Sequence, residues 1–211
     1  MLEVIREDAR LSHQLRYPGR EPTPWRILRI ALFSRGMLII NGHRTLRSLS
    51  RRAEASQSAV VRRVLRSTAA FLDYWLQIAT KSDVRVGTEL APGVYLSDEG
   101  NVILGARWVG RGTVIHNRTT IGWSLKGEGT PHIGERVWIG PDCVVVGNIT
   151  IGDGATILPG TVLTRNVPPN AVVEGNPARI VRRDFDNSEL RRSLAAQPRL
   201  PGPAPGANSA V

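Results

Sequence analysis

Four histidines, His13, His43, His116 and His132, are the side chains of this 211-residue sequence whose charge can change near neutral pH. Cys143 is its single thiol. A histidine works as a proton acceptor when its other ring nitrogen is oriented and the reacting group comes within hydrogen-bond reach. His13 and His43 fall in stretches with helical spacing and are expected to be structural. His116 and His132 fall in a different kind of sequence, with Asp83 and Asp98 upstream. What must position them is a repeat.

From Ile133 the chain reads IGERVW, IGPDCV, VVGNIT, IGDGAT, ILPGTV, LTRNVP, a period of six. The first position is always aliphatic: Ile133, Ile139, Val145, Ile151, Ile157 and Leu163. The fifth is small or branched, and the second is often Gly. The same frame runs upstream through Ile121, Ile115 and Val109, and again through Leu90 and Val84. Repeats of this kind mark a parallel β-helix. Each hexad supplies a short strand and a corner, and three close a triangular coil. The first-position residue points inward and stacks on its equivalent about 4.8 Å along the axis. Cys143, at a fifth position, is then a core residue rather than a nucleophile. Ile115 follows Leu96 by 19 positions, one coil plus one residue. His116 should therefore sit one coil above the Ser97-Asp98 corner, at a position where side chains leave the core.

The rest of the chain differs in character. Lys and Arg total 28 against 18 Asp and Glu, a formal net charge of +10. Residues 1–83 hold 15 basic and 7 acidic residues, net +8, residues 84–180 are neutral, and residues 181–211 carry +2. The N-terminal third reads as helical, with apolar residues at 3–4 spacing over 25–40 and 60–79. Pro18, Pro22 and Pro24 separate a short first helix, and Ser56-Gln57-Ser58 offers a start for the last. The expected organisation is helical over 1–83, a β-helix over 84–183, and a Pro/Gly-rich disordered tail over 184–211. One cysteine excludes a disulfide scaffold. No apolar run is long enough to span a membrane. The charged start MLEVIREDAR is not expected to be a secretory leader.

The repeat and its ending, NVPPNAVVEGNPARIV (Asn166 to Val181), resemble the hexapeptide-repeat acyltransferases, most nearly their serine O-acetyltransferase branch. Arg6-Glu7-Asp8 and the His43-Arg44 pair fit that branch, and IGWSLKGEGTPHI (residues 121–133) resembles its excursion loop. A related group that acetylates sugars in exopolysaccharide synthesis has the same layout, and its loop also ends in Pro-His-Ile. The resemblance covers about residues 3 to 183. It implies a left-handed β-helix, against the usual right-handed crossover, a homotrimer, and acetyl-CoA as donor with no metal. The CoA would lie between neighbouring helices of the trimer. It would rest on backbone near Gly140, Pro141, Pro159 and Gly160, with Arg179 close to its nucleotide end.

Transfer from a thioester to a hydroxyl needs a base for the hydroxyl proton and donors for the oxyanion. Asp83 matches the Asp that starts the first coil in serine acetyltransferases. Their later Asp-His pair aligns with Ser97-Asp98, so the family's base position holds an acid. Their acidic serine-binding segment has no counterpart in QLRYPGR (Gln14 to Arg20). The expected base is His116, oriented by Asp98 or Asp83. His132 and Asn117 fall on the acceptor side, with His132 a second candidate base. These departures favour a hydroxyl of a sugar or polysaccharide intermediate as acceptor. Serine is the alternative, and a non-catalytic hexapeptide scaffold a further one. Three basic helical segments clustered at one end of a trimer would suit an anionic partner, a membrane face or a polyanionic glycan. Nucleic acid is not expected, because the charge comes without a recognised motif and with few aromatics. The expected compartment is the cytoplasm, including its membrane face.

Overall fold

The computed structural model describes residues 2–123 and 129–192. Four helices come first: α1 (Leu2–Arg16), α2 (Pro24–Phe33), α3 (Arg35–Ala55) and α4 (Ala59–Thr80). Pro24 starts α2, where its missing N–H costs no bond. The apolar stretch 25–40, which periodicity joins into one helix, is broken at Ser34. Ser34 is extended, with φ −79° and ψ 130°, and its hydroxyl accepts the Met37 N–H to cap α3. A Ser inside a 3–4 pattern is compatible with either outcome. Ser58 caps α4 in the same way, and Lys81 ends it in the left-handed region. α3 and α4 cross closely at Gly42, where a Cβ would lie 2.5 Å from the Leu76 side chain.

The repeat then forms three faces of short parallel strands. The first face holds β1 (Asp83–Val84), β4 (Ile103–Leu104), β7 (Thr120–Gly122), β10 (Val144–Val146) and β13 (Val162–Leu163). The second holds β2 (Glu89–Leu90), β5 (Trp108–Val109), β8 (His132–Ile133) and β11 (Thr150–Ile151). The third holds β3 (Tyr95–Leu96), β6 (Val114–Ile115), β9 (Trp138–Ile139), β12 (Thr156–Ile157) and β14 (Val172–Glu174), closed by the antiparallel β15 (Arg179–Arg182). The six first-position residues from Ile133 to Leu163 are all buried, and so are the fifth-position residues, Cys143 among them. Ile133 stacks on Ile151 and Ile139 on Ile157, and Leu96 pairs with Ile115 as the spacing requires.

The third face is buried on both sides. Leu15 of α1 and Leu190 cover Tyr95, Val114 and Trp138, with Leu11 and Phe185 at the margin. Residues 184–192, read from composition as the start of a disordered tail, are therefore packed. The Asn187 amide donates to the carbonyls of Arg136, Gly154 and Ala155 at 3.0–3.2 Å. The remaining tail, 193–211, lies outside the described residues. A second joint ties the helices to the first coil. Arg44 pairs with the buried Asp8, whose carboxylate also accepts the Gly93 N–H at 2.7 Å. His43 Nε2 donates to the Thr88 carbonyl at 2.9 Å. His13 is buried beside Tyr17, so both helical histidines are structural.

Candidate active site

The corners between the third and first faces stack into one ridge, joined by backbone bonds. Ser97 N–H donates to Ile115 O, His116 N–H to Ile139 O and Gly140 N–H to Ile157 O, each at 2.9–3.0 Å. Asp142 N–H reaches Asn117 O, and Gly160 N–H reaches Pro141 O. Asp98, His116, Asn117, Gly140, Pro141, Pro159 and Gly160 thus share this ridge. Its upper end is closed by residues 175–178, through Val162 N–H to Gly175 O and Ala178 N–H to Val162 O. Arg179 follows on β15, exposed.

His116 is half-buried on the ridge. Its ring packs on Trp138, centroids 4.9 Å apart, and its buried Nε2 has no hydrogen-bond partner. Burial pushes its pKa down to about 4, so the imidazole is neutral at working pH. The expected orienting carboxylate is not there. Asp98 instead takes an ion pair from Arg16, the Ser34 hydroxyl at 2.6 Å and the Gly36 N–H at 2.8 Å. The Gly36 bond sets the carboxylate at the positive N-terminus of α3. These donors come from the helices, and they turn Asp98 toward the helical region. Asp83 lies at the foot of the first face, beside Ile103, and neither carboxylate hydrogen-bonds His116 among the described residues.

Asn117, expected on the acceptor side, is buried within its corner. His132 is exposed on the second face between Trp108 and Thr150, off the ridge of its own chain. Residues 124–128 of the loop before it lie outside the described residues. Sequence reasoning missed Arg16, Ser34, Gly36 and Trp138. It also missed Arg118, which makes a two-pronged pair with Asp142 at 2.5 and 2.6 Å, one coil to the next. That guanidinium holds the Asp142 carboxyl below the usual range. No sequence signal links Ser34 to Asp98, 64 residues apart. Among the described residues no cluster of three His, Cys, Asp or Glu side chains is placed to hold a metal ion.

The coil and its ridge carry the architecture of the hexapeptide-repeat transferases. The family profile "bacterial transferase hexapeptide (six repeats)" matches residues 130–165. Similarity along most of the chain is to the serine acetyltransferase-like branch. Serine acetyltransferase of Mycobacterium tuberculosis is 29% identical over 184 residues, covering 86% of this chain and 73% of that protein. Serine acetyltransferase 2 of Arabidopsis thaliana is 34% identical over 103 residues, 47% of this chain, but the match spans only 32% of the plant protein. The crystal structure of Neisseria gonorrhoeae serine acetyltransferase in complex with serine superposes with a TM-score of 0.71 at 25% identity, covering 86% of this chain and 69% of that one. The shared architecture is a left-handed β-helix preceded by helices.

These matches correct one expectation. The missing serine-side residues pointed to a sugar or polysaccharide acceptor, yet the relatives aligned along most of the chain are serine acetyltransferases. The departures at Asp98 and Gln14–Arg20 describe how this site is built, and do not move the chain to the sugar-modifying group. No helix of the described residues is long and apolar enough to cross a membrane.

Proposed function

We propose that this chain transfers the acetyl group of acetyl-CoA to the hydroxyl of serine. The observation that carries the reading is the alignment with the Mycobacterium tuberculosis enzyme, which runs through both the helices and the coil. His116 takes the hydroxyl proton as the serine oxygen attacks the thioester carbonyl. The C–S bond then breaks, and the imidazolium returns the proton to the departing thiolate. The neutral state of His116 and its unpartnered nitrogen support this role. Acetyl-CoA lies along the ridge at Gly140-Pro141 and Pro159-Gly160, with Arg179 toward the nucleotide. Gly160 supports this placement: the space beside it is open, so backbone can meet a ligand directly. The active assembly is a homotrimer, in which the second face of one protomer brings His132 to the ridge of the next. Its support is that α1 and residues 184–192 already cover the third face, while His132 and Thr150 on the second are exposed. Asp83 and Asn117 shape the first-face side of the same ridge.

The test is release of free CoA on mixing the protein with acetyl-CoA and L-serine. Serine-dependent release is expected, with His116→Ala slowing kcat by about 10²–10⁴-fold and leaving acetyl-CoA affinity intact. Acetyl-CoA binding without release would favour another acceptor. No acetyl-CoA binding would favour the scaffold reading, whose supporting observation is the acid held at the family's base position.

A further inference from the structure

The Arg16–Asp98 pair has more capacity than a structural clamp requires. Asp98 Oδ1 receives the Ser34 hydroxyl and the Gly36 N–H, and Oδ2 faces Arg16. Arg16 engages through Nη2 alone, which also donates to Ser34 Oγ at 2.6 Å. A guanidinium has five donors, and the Arg16 Nε is buried with no partner. Both side chains remain open to the surface, at 20% and 34% exposure. One positive and one negative group therefore lie side by side at the lower end of the ridge. They sit one coil below His116, as the bond from Ser97 N–H to Ile115 O establishes.

An amino-acid zwitterion carries the same two charges at a similar spacing. Its carboxylate suits the planar, multi-donor guanidinium. Its ammonium suits an oxygen acceptor that already sits in a field of donors. Inserting it turns one ion pair into a closed square of alternating charges and adds no net charge. An acceptor with only one of the two charges leaves a partly desolvated group unmatched, which is costly. The next coil, roughly 4.8 Å up the axis, is that of His116, within reach of a hydroxyl one carbon from the α-carbon.

We propose that Arg16 and Asp98 read the two charged ends of the acceptor, Arg16 taking the α-carboxylate and Asp98 the α-ammonium, so that the β-hydroxyl is presented on the coil of His116. This rests on the serine reading above and deepens it. Turnover of L-serine is compared with serinamide, which lacks the carboxylate, and 3-hydroxypropanoate, which lacks the ammonium. The wild-type protein is expected to prefer L-serine over each by at least tenfold in kcat/KM. Arg16→Gln is expected to raise the KM for L-serine at least tenfold and to erase the preference over serinamide while keeping that over 3-hydroxypropanoate. Asp98→Asn is expected to do the reverse, with acetyl-CoA affinity unchanged in both. Equal wild-type turnover of L-serine and either analogue overturns the proposal without any variant having to fold. Variants that fold and keep both preferences overturn it too, while serine acetylation stands. A wild-type protein that acetylates no serine overturns the underlying reading, and this one with it.

Discussion

Burial against Trp138 holds the His116 imidazole neutral down to about pH 4, against an ordinary 6.5. If the neutral ring is the base, activity disappears only when it protonates. The acidic limb of kcat/KM is therefore expected near pH 4, and a limb near 6.5 would assign the base elsewhere. The sequence placed His116 one coil above the Ser97-Asp98 corner, and the register of Leu96 with Ile115 bears that out. It could not say which way Asp98 turns, because Ser34, Gly36 and Arg16 reach it from 60 and more positions away. Gly36 shows how tight that contact is: a Cβ there would collide with the Leu96 carbonyl. Gly36→Ala is expected to cost about 1–3 kcal/mol in urea unfolding and to loosen Asp98. An unchanged midpoint would mean that α3 can shift without penalty.

Elements show the same division. The hexad pattern located the coil because each repeat carries its own inward aliphatic residue and its own corner. The helices were harder. Apolar spacing over 25–40 joined α2 to α3, and the break at Ser34 depends on a hydroxyl that also donates to Asp98. Ser34→Ala removes both of these bonds and the one its hydroxyl accepts from Arg16. It should destabilise by about 1–2 kcal/mol, against a few tenths for Ser58→Ala, whose capping contact is exposed and stretched to 3.5 Å. The segment 184–192 was misread because its composition is that of a tail, while Asn187 and Leu190 bond and pack within it. Leu190→Ala is expected to cost about 2–4 kcal/mol, measurable by chemical denaturation. A loss below 0.5 kcal/mol would show that the segment adds little.

At the scale of the whole molecule, burial has set three histidines against acid. His13, His43 and His116 all sit below their ordinary pKa because burial penalises the charged ring. The unfolded chain takes up those protons near pH 6.5 and the folded chain only further down. Their contribution to stability is therefore complete above 6.5 and is lost as pH falls through the folded values. The thermal midpoint is expected to fall between pH 7 and pH 5. Asp8, whose carboxyl is raised by burial, acts in the opposite sense but only at the lower pH of carboxylates. A flat profile over pH 5–7 would show that these rings rehydrate freely.

Of the net charge of +10, the helical residues 1–83 carry +8 and residues 181–211 carry +2, and the coil that carries the ridge is neutral. By itself the sequence determined the coil, the burial of Cys143, and the one-coil step from the Ser97-Asp98 corner to His116. All of these follow from a period of six, a local rule applied again and again. Only the tertiary structure decided that Arg16, Ser34 and Gly36 claim Asp98, that Trp138 neutralises His116, and that residues 184–192 close the third face. Each of those is a meeting of segments with no shared period, so no spacing along the chain could announce it.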